Sequence, residues 1–204
     1  MMEESGGILA ALKSFILGTL FSCTTKLPCL VLDLDSTLVY STRCPTSKHE
    51  FEFDVSTKKY FVHIRPGATE FLKKISEIYE IFFFTAASKE YSEIIIKHIA
   101  PFVNTEHCFF KDSCIFKLGY ALKDLKLIKR PLNKVILVDD ILGSGLMQPN
   151  NTICVEPWIG NFEDRVLLNE LYPLLISCAD ESNIPKAIHH YASEIQPKHL
   201  QFYC

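Results

Sequence analysis

Two short apolar strings, each closed by aspartate, limit what this chain can fold into. Cys29-Leu30-Val31-Leu32 runs into Asp33, and Val135-Ile136-Leu137-Val138 runs into Asp139-Asp140. An unbroken apolar run of this length suits a strand buried on both faces, as in parallel sheets covered by helices. In such sheets ligands gather beyond the carboxyl ends of the strands, where these carboxylates would emerge.

The sequence between the strings alternates strand and helix signals. Residues 50–55 and 60–64, flanking Ser56-Thr57-Lys58-Lys59, predict a β-hairpin inserted after the first strand. Pro66, after Arg65, predicts a helix through about Tyr79 with Phe71, Leu72 and Ile75 on one stripe. A strand is expected over 81–85 and a helix over 89–99, ended by Pro101. A third strand is expected near 108–110 with 114–118 paired beside it, Asp124 in a short helical turn, and a further strand over 152–155. Residues 162–176 and 184–195 read as helices closing over one face. The fold class expected is α/β: a Rossmann-like parallel sheet with helices on both faces and a small β-hairpin insertion after the first strand.

Composition narrows the function classes. With 48% hydrophobic residues over 204 positions, the chain has material for one core, taken as a domain over 28–204 preceded by an N-terminal helical segment over 1–27. Its 21 basic and 24 acidic residues leave a charge of -3, which gives no footprint for direct nucleic-acid binding. The eight cysteines are scattered without a Cys-x-x-Cys pair, which favours a reduced intracellular protein over a disulfide framework or a zinc site. The start Met1-Met2-Glu3-Glu4 is acidic where a secretory signal needs positive charge. The apolar stretch that begins at Ile8 and ends at Cys23 is interrupted by Lys13, Ser14, Thr19 and Ser22, so it reads as an amphipathic helix. Packing on this domain or on a partner protein is favoured there over a membrane-surface anchor.

Asp33 and Asp35 stand two apart at a strand end, so both side chains can enter one cleft and perturb each other's ionisation. By itself an Asp-x-Asp is as much an ordinary loop as an acid-base pair. In context, Asp33-Leu34-Asp35-Ser36-Thr37-Leu38-Val39 resembles the nucleophile motif of the haloacid dehalogenase superfamily, Asp-x-Asp-x-Thr after a buried strand. Thr85 in Phe84-Thr85-Ala86-Ala87, Lys123 in Ala121-Leu122-Lys123-Asp124-Leu125, and Asp139-Asp140 match that superfamily's remaining motifs in order. More narrowly, these segments, Arg65-Pro66-Gly67 and the stretch from Gln148 to Trp158 resemble the serine/threonine protein phosphatases that act on the RNA polymerase II C-terminal domain and related substrates.

The resemblance implies the chemistry. Asp33 would be the nucleophile that forms an aspartyl-phosphate, and Asp35 the acid that protonates the leaving oxygen and later draws a proton from water. Mg2+ would be held by the carboxylates of Asp33 and Asp140 and the main-chain carbonyl of Asp35. Thr85, Lys123, Leu34 and Ala86 would bind the phosphate, with Asp139 and Thr37 supporting them from behind. The substrate expected is a phosphorylated protein or peptide, because the small insertion leaves an open cleft; a small-molecule phosphatase and a non-catalytic binding scaffold are the alternatives. Nucleus or cytoplasm is the expected location, with the endoplasmic-reticulum surface kept open.

Three positions depart from the resemblance. Ile141-Leu142 stands where Ser-Pro is usual, Ser88 where a bulky apolar residue is, and Lys111 where arginine is. All lie on the substrate side, so the substrate is less determined than the reaction. Phe51, Phe53, Tyr60 and Val62 of the hairpin are candidates for a peptide-binding rim, although packing is the favoured reading. Lys126, Lys129, Arg130 and Lys134 read as a solvated basic face, and His189-His190 as ordinary helix residues.

Overall fold

The computed structural model describes residues 27–45 and 48–203. The expected helix from Ile8 to Cys23 lies outside the described residues, and among those described no helix is long and apolar enough to cross a membrane.

The strands, in chain order, are β1 (Cys29–Leu32), β2 (Val39–Thr42), β3 (Phe51–Val55), β4 (Lys58–Ile64), β5 (Glu80–Phe84), β6 (Cys108–Phe109), β7 (Ile115–Lys117), β8 (Tyr120–Leu122), β9 (Val135–Asp139), β10 (Thr152–Val155) and β11 (Leu200–Phe202). The α-helices are α1 (Ala68–Ile75), α2 (Lys89–Ile99), α3 (Tyr172–Cys178) and α4 (Ile184–Ile195). The principal sheet has the order β11-β10-β9-β1-β5-β6, parallel except for β11. The chain leaves β1 towards β5 and β6, then returns to β9 on the other side. That reversal puts a topological switch point at the carboxyl end of β1.

Alternation sorts the sheet's side chains. Leu30, Leu32, Ile81, Phe83, Ile136 and Val138 share one core with all four α-helices. Cys29, Val31, Phe82, Phe84, Val135 and Leu137 face the other way, onto Leu125, Ile128 and Leu132 of short 3-10 turns. Helical structure therefore covers both faces, but unequally: α-helices on one, single turns on the other.

Helix α1 follows from Ala68, Phe71, Leu72 and Ile75, all buried and spaced i, i+3, i+4, i+7. Each large side chain buried there contributes roughly 1.5–3 kcal/mol. The helix starts at Ala68 rather than Pro66, because Gly67 is left-handed (φ 79°) and Ala68 N–H bonds to Arg65 O at 2.9 Å, closing a turn. A Cβ on Gly67 would also lie 2.7 Å from Leu168 Cδ1. Helix α2 has its expected bounds, with Glu90 in the first turn and Lys97 and His98 in the last, complementing the dipole.

Three other expectations are corrected. The helix placed from Phe162 begins only near Val166, as a π segment (Leu167–Leu171) running into α3. Upstream, Asn161 accepts Glu163 N–H, and its carbonyl accepts Asp164 N–H, which holds a turn. Residues 114–118 do not pair with the third strand; β7 pairs with β8 across Leu118 and Gly119. Both turn residues are left-handed (φ 55° and 82°), the geometry of a tight hairpin. The inserted hairpin is a three-stranded sheet, β2-β4-β3, in which β2 was not foreseen.

Candidate active site

Register and period two bring the acids together. Leu32 lies beside Val138, and Asp33 N–H donates to Val138 O at 2.9 Å, so the next residues, Asp33 and Asp139, are neighbours on adjacent strands. Both continue the alternation of Val31 and Leu137, which face the thinly covered side. Lys123 arrives from that side, directly after β8. Its Nζ lies 2.6 Å from Asp33 Oδ1 and 2.5 Å from Asp139 Oδ2, and all three side chains are nearly closed to solvent. The lysine loop is fixed by Gln148, whose Oε1 accepts Leu125 N–H at 2.8 Å and whose Nε2 donates to Asp124 at 2.9 Å. Asp124 caps the following 3-10 turn by accepting Lys126 N–H.

One ammonium faces three carboxylates, since the oxygens of Asp33, Asp139 and Asp140 lie within 4.8 Å of one another. Burial pushes Asp33 up, with Lys123 opposing and Asp139 reinforcing it. Burial also pushes Asp140 up to about 6, with the Asp139 charge adding to it. Burial alone would lower Lys123, but Asp33 and Asp139 outweigh it and hold the ammonium charged. The cluster thus gathers three carboxyl groups around one ammonium, and burial makes it costly to ionise them together. With oxygen donors only and no histidine or cysteine, the set fits a hard divalent cation such as Mg2+.

The expected site residues otherwise lie as follows. The chain turns sharply after Asp35: Ser36 is left-handed (φ 60°), its N–H donates to Val39 O, and its carbonyl accepts Trp158 N–H at 2.7 Å. The Asp35 carboxylate bonds to Tyr91, whose hydroxyl lies 2.5 Å from Asp35 Oδ1, and its charge is felt by Asp33 and Asp140. Burial raises Asp35, opposed by the Tyr91 hydrogen bond. Burial, then the nearby Asp35 charge, lifts Tyr91 well above the usual phenol range, so it stays a donor. The Leu34 side chain is wholly buried, so the phosphate contact expected of this residue falls to its main chain. Thr85 is buried at the end of β5, with Oγ1 accepting Ala87 N–H at 3.1 Å. Ala86 is exposed beside it. Thr37 is fully buried, and its hydroxyl has no partner among the described residues.

The rim candidates divide. Val62 is buried in the core and is corrected as a groove residue. Phe53 and Tyr60 turn inward on the Tyr91 ring, at centroid distances of 5.6 and 4.9 Å, and Phe51 stacks on His98 at 3.9 Å. Ser88 and Lys111 are exposed beside the Thr85 loop, where Lys111 N–H donates to Ala87 O. In the basic group, Arg130 pairs with Glu80 through two hydrogen bonds and Lys134 Nζ donates to Glu181 O, so those two are partnered.

Two residues at the site were given no role from the sequence, although Arg65 falls in one of the segments that carry the resemblance. Arg65 is buried, pairs with Asp164 through Nε and Nη2 (both 2.9 Å), and donates from Nη1 to Thr37 O at 3.1 Å. It ties the Asp33–Thr37 loop to the segment before α3. Tyr91, in the first turn of α2, is revealed only by its contact with Asp35, 56 residues away in sequence.

Comparison with known proteins matches residues 28–185 to the family model described as NLI interacting factor-like phosphatase. The CTD small phosphatase-like protein of Mus musculus is 31% identical over 169 residues, covering 81% of this chain and 61% of that protein. The Homo sapiens protein named carboxy-terminal domain RNA polymerase II polypeptide A small phosphatase 2 is 32% identical over 145 residues, covering 69% and 54%. The chain therefore spans roughly three fifths of the length of such relatives. The solved structure of Fcp1, described as an essential RNA polymerase II CTD phosphatase, superposes with a TM-score of 0.58 at 22% identity, covering 92% of this chain and 58% of that one; it shares the fold.

Proposed function

The chain belongs to the NLI interacting factor-like phosphatase family, and from that premise we propose that it is a magnesium-dependent phosphatase of phosphoserine and phosphothreonine in protein substrates. The observation that supports this most directly is the buried Asp33-Lys123-Asp139 triad with Asp140 beside it, at the switch point of a parallel sheet.

A phosphate monoester resists attack because its own negative charge repels a nucleophile, so positioning and charge neutralisation are what a protein must supply. Asp33 attacks phosphorus through a carboxylate oxygen, the bond to the leaving oxygen breaks, and the proton of Asp35 goes to that oxygen. In the second half, water attacks the aspartyl-phosphate, Asp35 takes the water's proton, and the Asp33 carboxylate is released. Lys123 holds phosphoryl oxygens and orients Asp33, while Asp139 fixes the ammonium between them. Asp33, Asp140 and the Asp35 carbonyl would hold Mg2+, which when bound would supply Lewis-acid neutralisation of phosphoryl charge. The main chain at Leu34 and Ala86 and the hydroxyl of Thr85 complete the phosphate cradle. The relatives' names point to a phosphorylated protein tail, such as the RNA polymerase II C-terminal domain, as the substrate class to try first.

The test is hydrolysis of an aryl phosphate with Mg2+. Asp33→Asn is expected to lower kcat by at least about 10³-fold with the circular-dichroism spectrum unchanged. Equal activity in the two proteins would refute the assignment.

A further inference from the structure

The acid of the reaction sits on a short loop, and its carboxyl is free to turn unless something outside the loop holds it. Tyr91 Oη lies 2.5 Å from Asp35 Oδ1 and 2.6 Å from Ser41 Oγ. A phenol has one proton. Given to the carboxylate, it leaves Tyr91 Oη to accept from the Ser41 hydroxyl, so the bonds run in one direction, from Ser41 through Tyr91 to Asp35. The chain crosses three elements: β2, α2 and the loop after β1.

The ring that carries this hydroxyl has little freedom. It is 7% exposed, packs against Phe53 and Tyr60, and belongs to a helix whose Ile95, Ile96 and Ile99 are buried. The inserted sheet thereby fixes Tyr91 on two sides, through the aromatic pair and through Ser41.

We propose that Tyr91 is the positioning residue for Asp35: by binding Oδ1 it presents Oδ2 to the leaving oxygen, with Ser41 and the Phe53-Tyr60 stack holding the phenol in place. This rests on the phosphatase reading above. The arrangement serves both half-reactions. When Asp35 is protonated on Oδ2, Oδ1 is the carbonyl oxygen that accepts from Tyr91. When the proton has passed to the leaving oxygen, the same phenol stabilises the carboxylate without giving up its own proton. Tyr91 neither gains nor loses a proton over the cycle, and no co-reactant is needed.

A positioned acid matters in proportion to how badly the leaving group needs a proton, and that supplies the test. Tyr91→Phe keeps the ring and removes the hydroxyl. Against phenyl phosphate or a phosphoserine peptide, whose leaving oxygens are strongly basic, kcat/KM is expected to fall on the order of tenfold to a hundredfold. Against 4-nitrophenyl phosphate, whose leaving group departs without help, the fall is expected to stay within about threefold. Plotted over a series of aryl phosphates, the variant's dependence on leaving-group basicity steepens. Ser41→Ala, which leaves the ring stack untouched, should tilt the same plot less, and it decides the matter if Tyr91→Phe does not fold. A uniform loss across leaving groups, or no loss, overturns the positioning role while leaving the phosphatase assignment standing. Wild-type protein inactive on every phosphate overturns both.

Discussion

Among single residues, Arg65 shows how much of the site's geometry is held by groups outside the acidic cluster. Its guanidinium is closed to solvent and is satisfied by Asp164 on one edge and Thr37 O on the other. Removing one partner of a buried pair leaves the other charged and unpaired, at a cost of about 3–5 kcal/mol. Arg65→Leu is therefore expected to lower Tm by on the order of 10 °C in a thermal melt. Because the Thr37 carbonyl loses its donor, kcat should fall in the variant even where it remains folded. At this scale the sequence was most legible where a short motif carries its own chemistry. Asp33, Asp35, Thr85, Lys123 and Asp139-Asp140 stand out together, because each alone is ordinary and only their order along the chain matches a set of family motifs. Arg65 and Tyr91 do not, because their partners, Asp164 and Asp35, are 99 and 56 residues away.

Secondary-structure elements were legible in proportion to their internal contrast. β1, α2, β10 and α4 have long or clean apolar patterns and clear stops, and they lie where expected. The start of α1 was displaced by Gly67, whose left-handed φ overrides the preference for proline in a first turn. β2 and β11, four and three residues long, carry too little alternation to be seen before their partners β4 and β10 are in place. The end of the chain is fastened just before β11. His199 bonds to Glu170 through its ring and its N–H, and β11 then pairs with β10. The hydrogen bond to Glu170 raises His199 above its ordinary 6.5. Burial pushes Glu170 up, but the His199 bonds outweigh it and leave it lowered. The pair's stabilisation is thus complete below the unfolded imidazole value and is lost as pH rises through the folded one; on the acid side it fades as Glu170 protonates. In this half-exposed setting it amounts to about 1 kcal/mol or less. The Tm gap between wild type and His199→Ala is expected to be wider at pH 6 than at pH 9, and an equal gap at both would count against this linkage.

For the molecule as a whole, the acidic cluster is a cost to folding that the proposed cation would relieve. Asp33 and Asp140 have folded pKa values above their unfolded 3.8. The cluster's own contribution to stability in the metal-free protein therefore falls as pH rises from about 4 through about 6, where Asp140 titrates, and Asp33 extends that fall further up. Adding Mg2+ should raise Tm by on the order of 5–10 °C at a hundredfold excess over Kd. The rise should be larger at pH 7.5 than at pH 5, be reversed by EDTA, and be blunted in Asp140→Asn. The same unequal covering of the sheet has another consequence. All four α-helices of the described residues lie on one side, whereas Lys123 and the residues around it are held by single turns and a few side-chain bonds to Gln148. Lengthening or rewriting the turns of the thin side would reshape what the cleft admits at little cost to the helical side. A chain built this way can change its diet without rebuilding its skeleton.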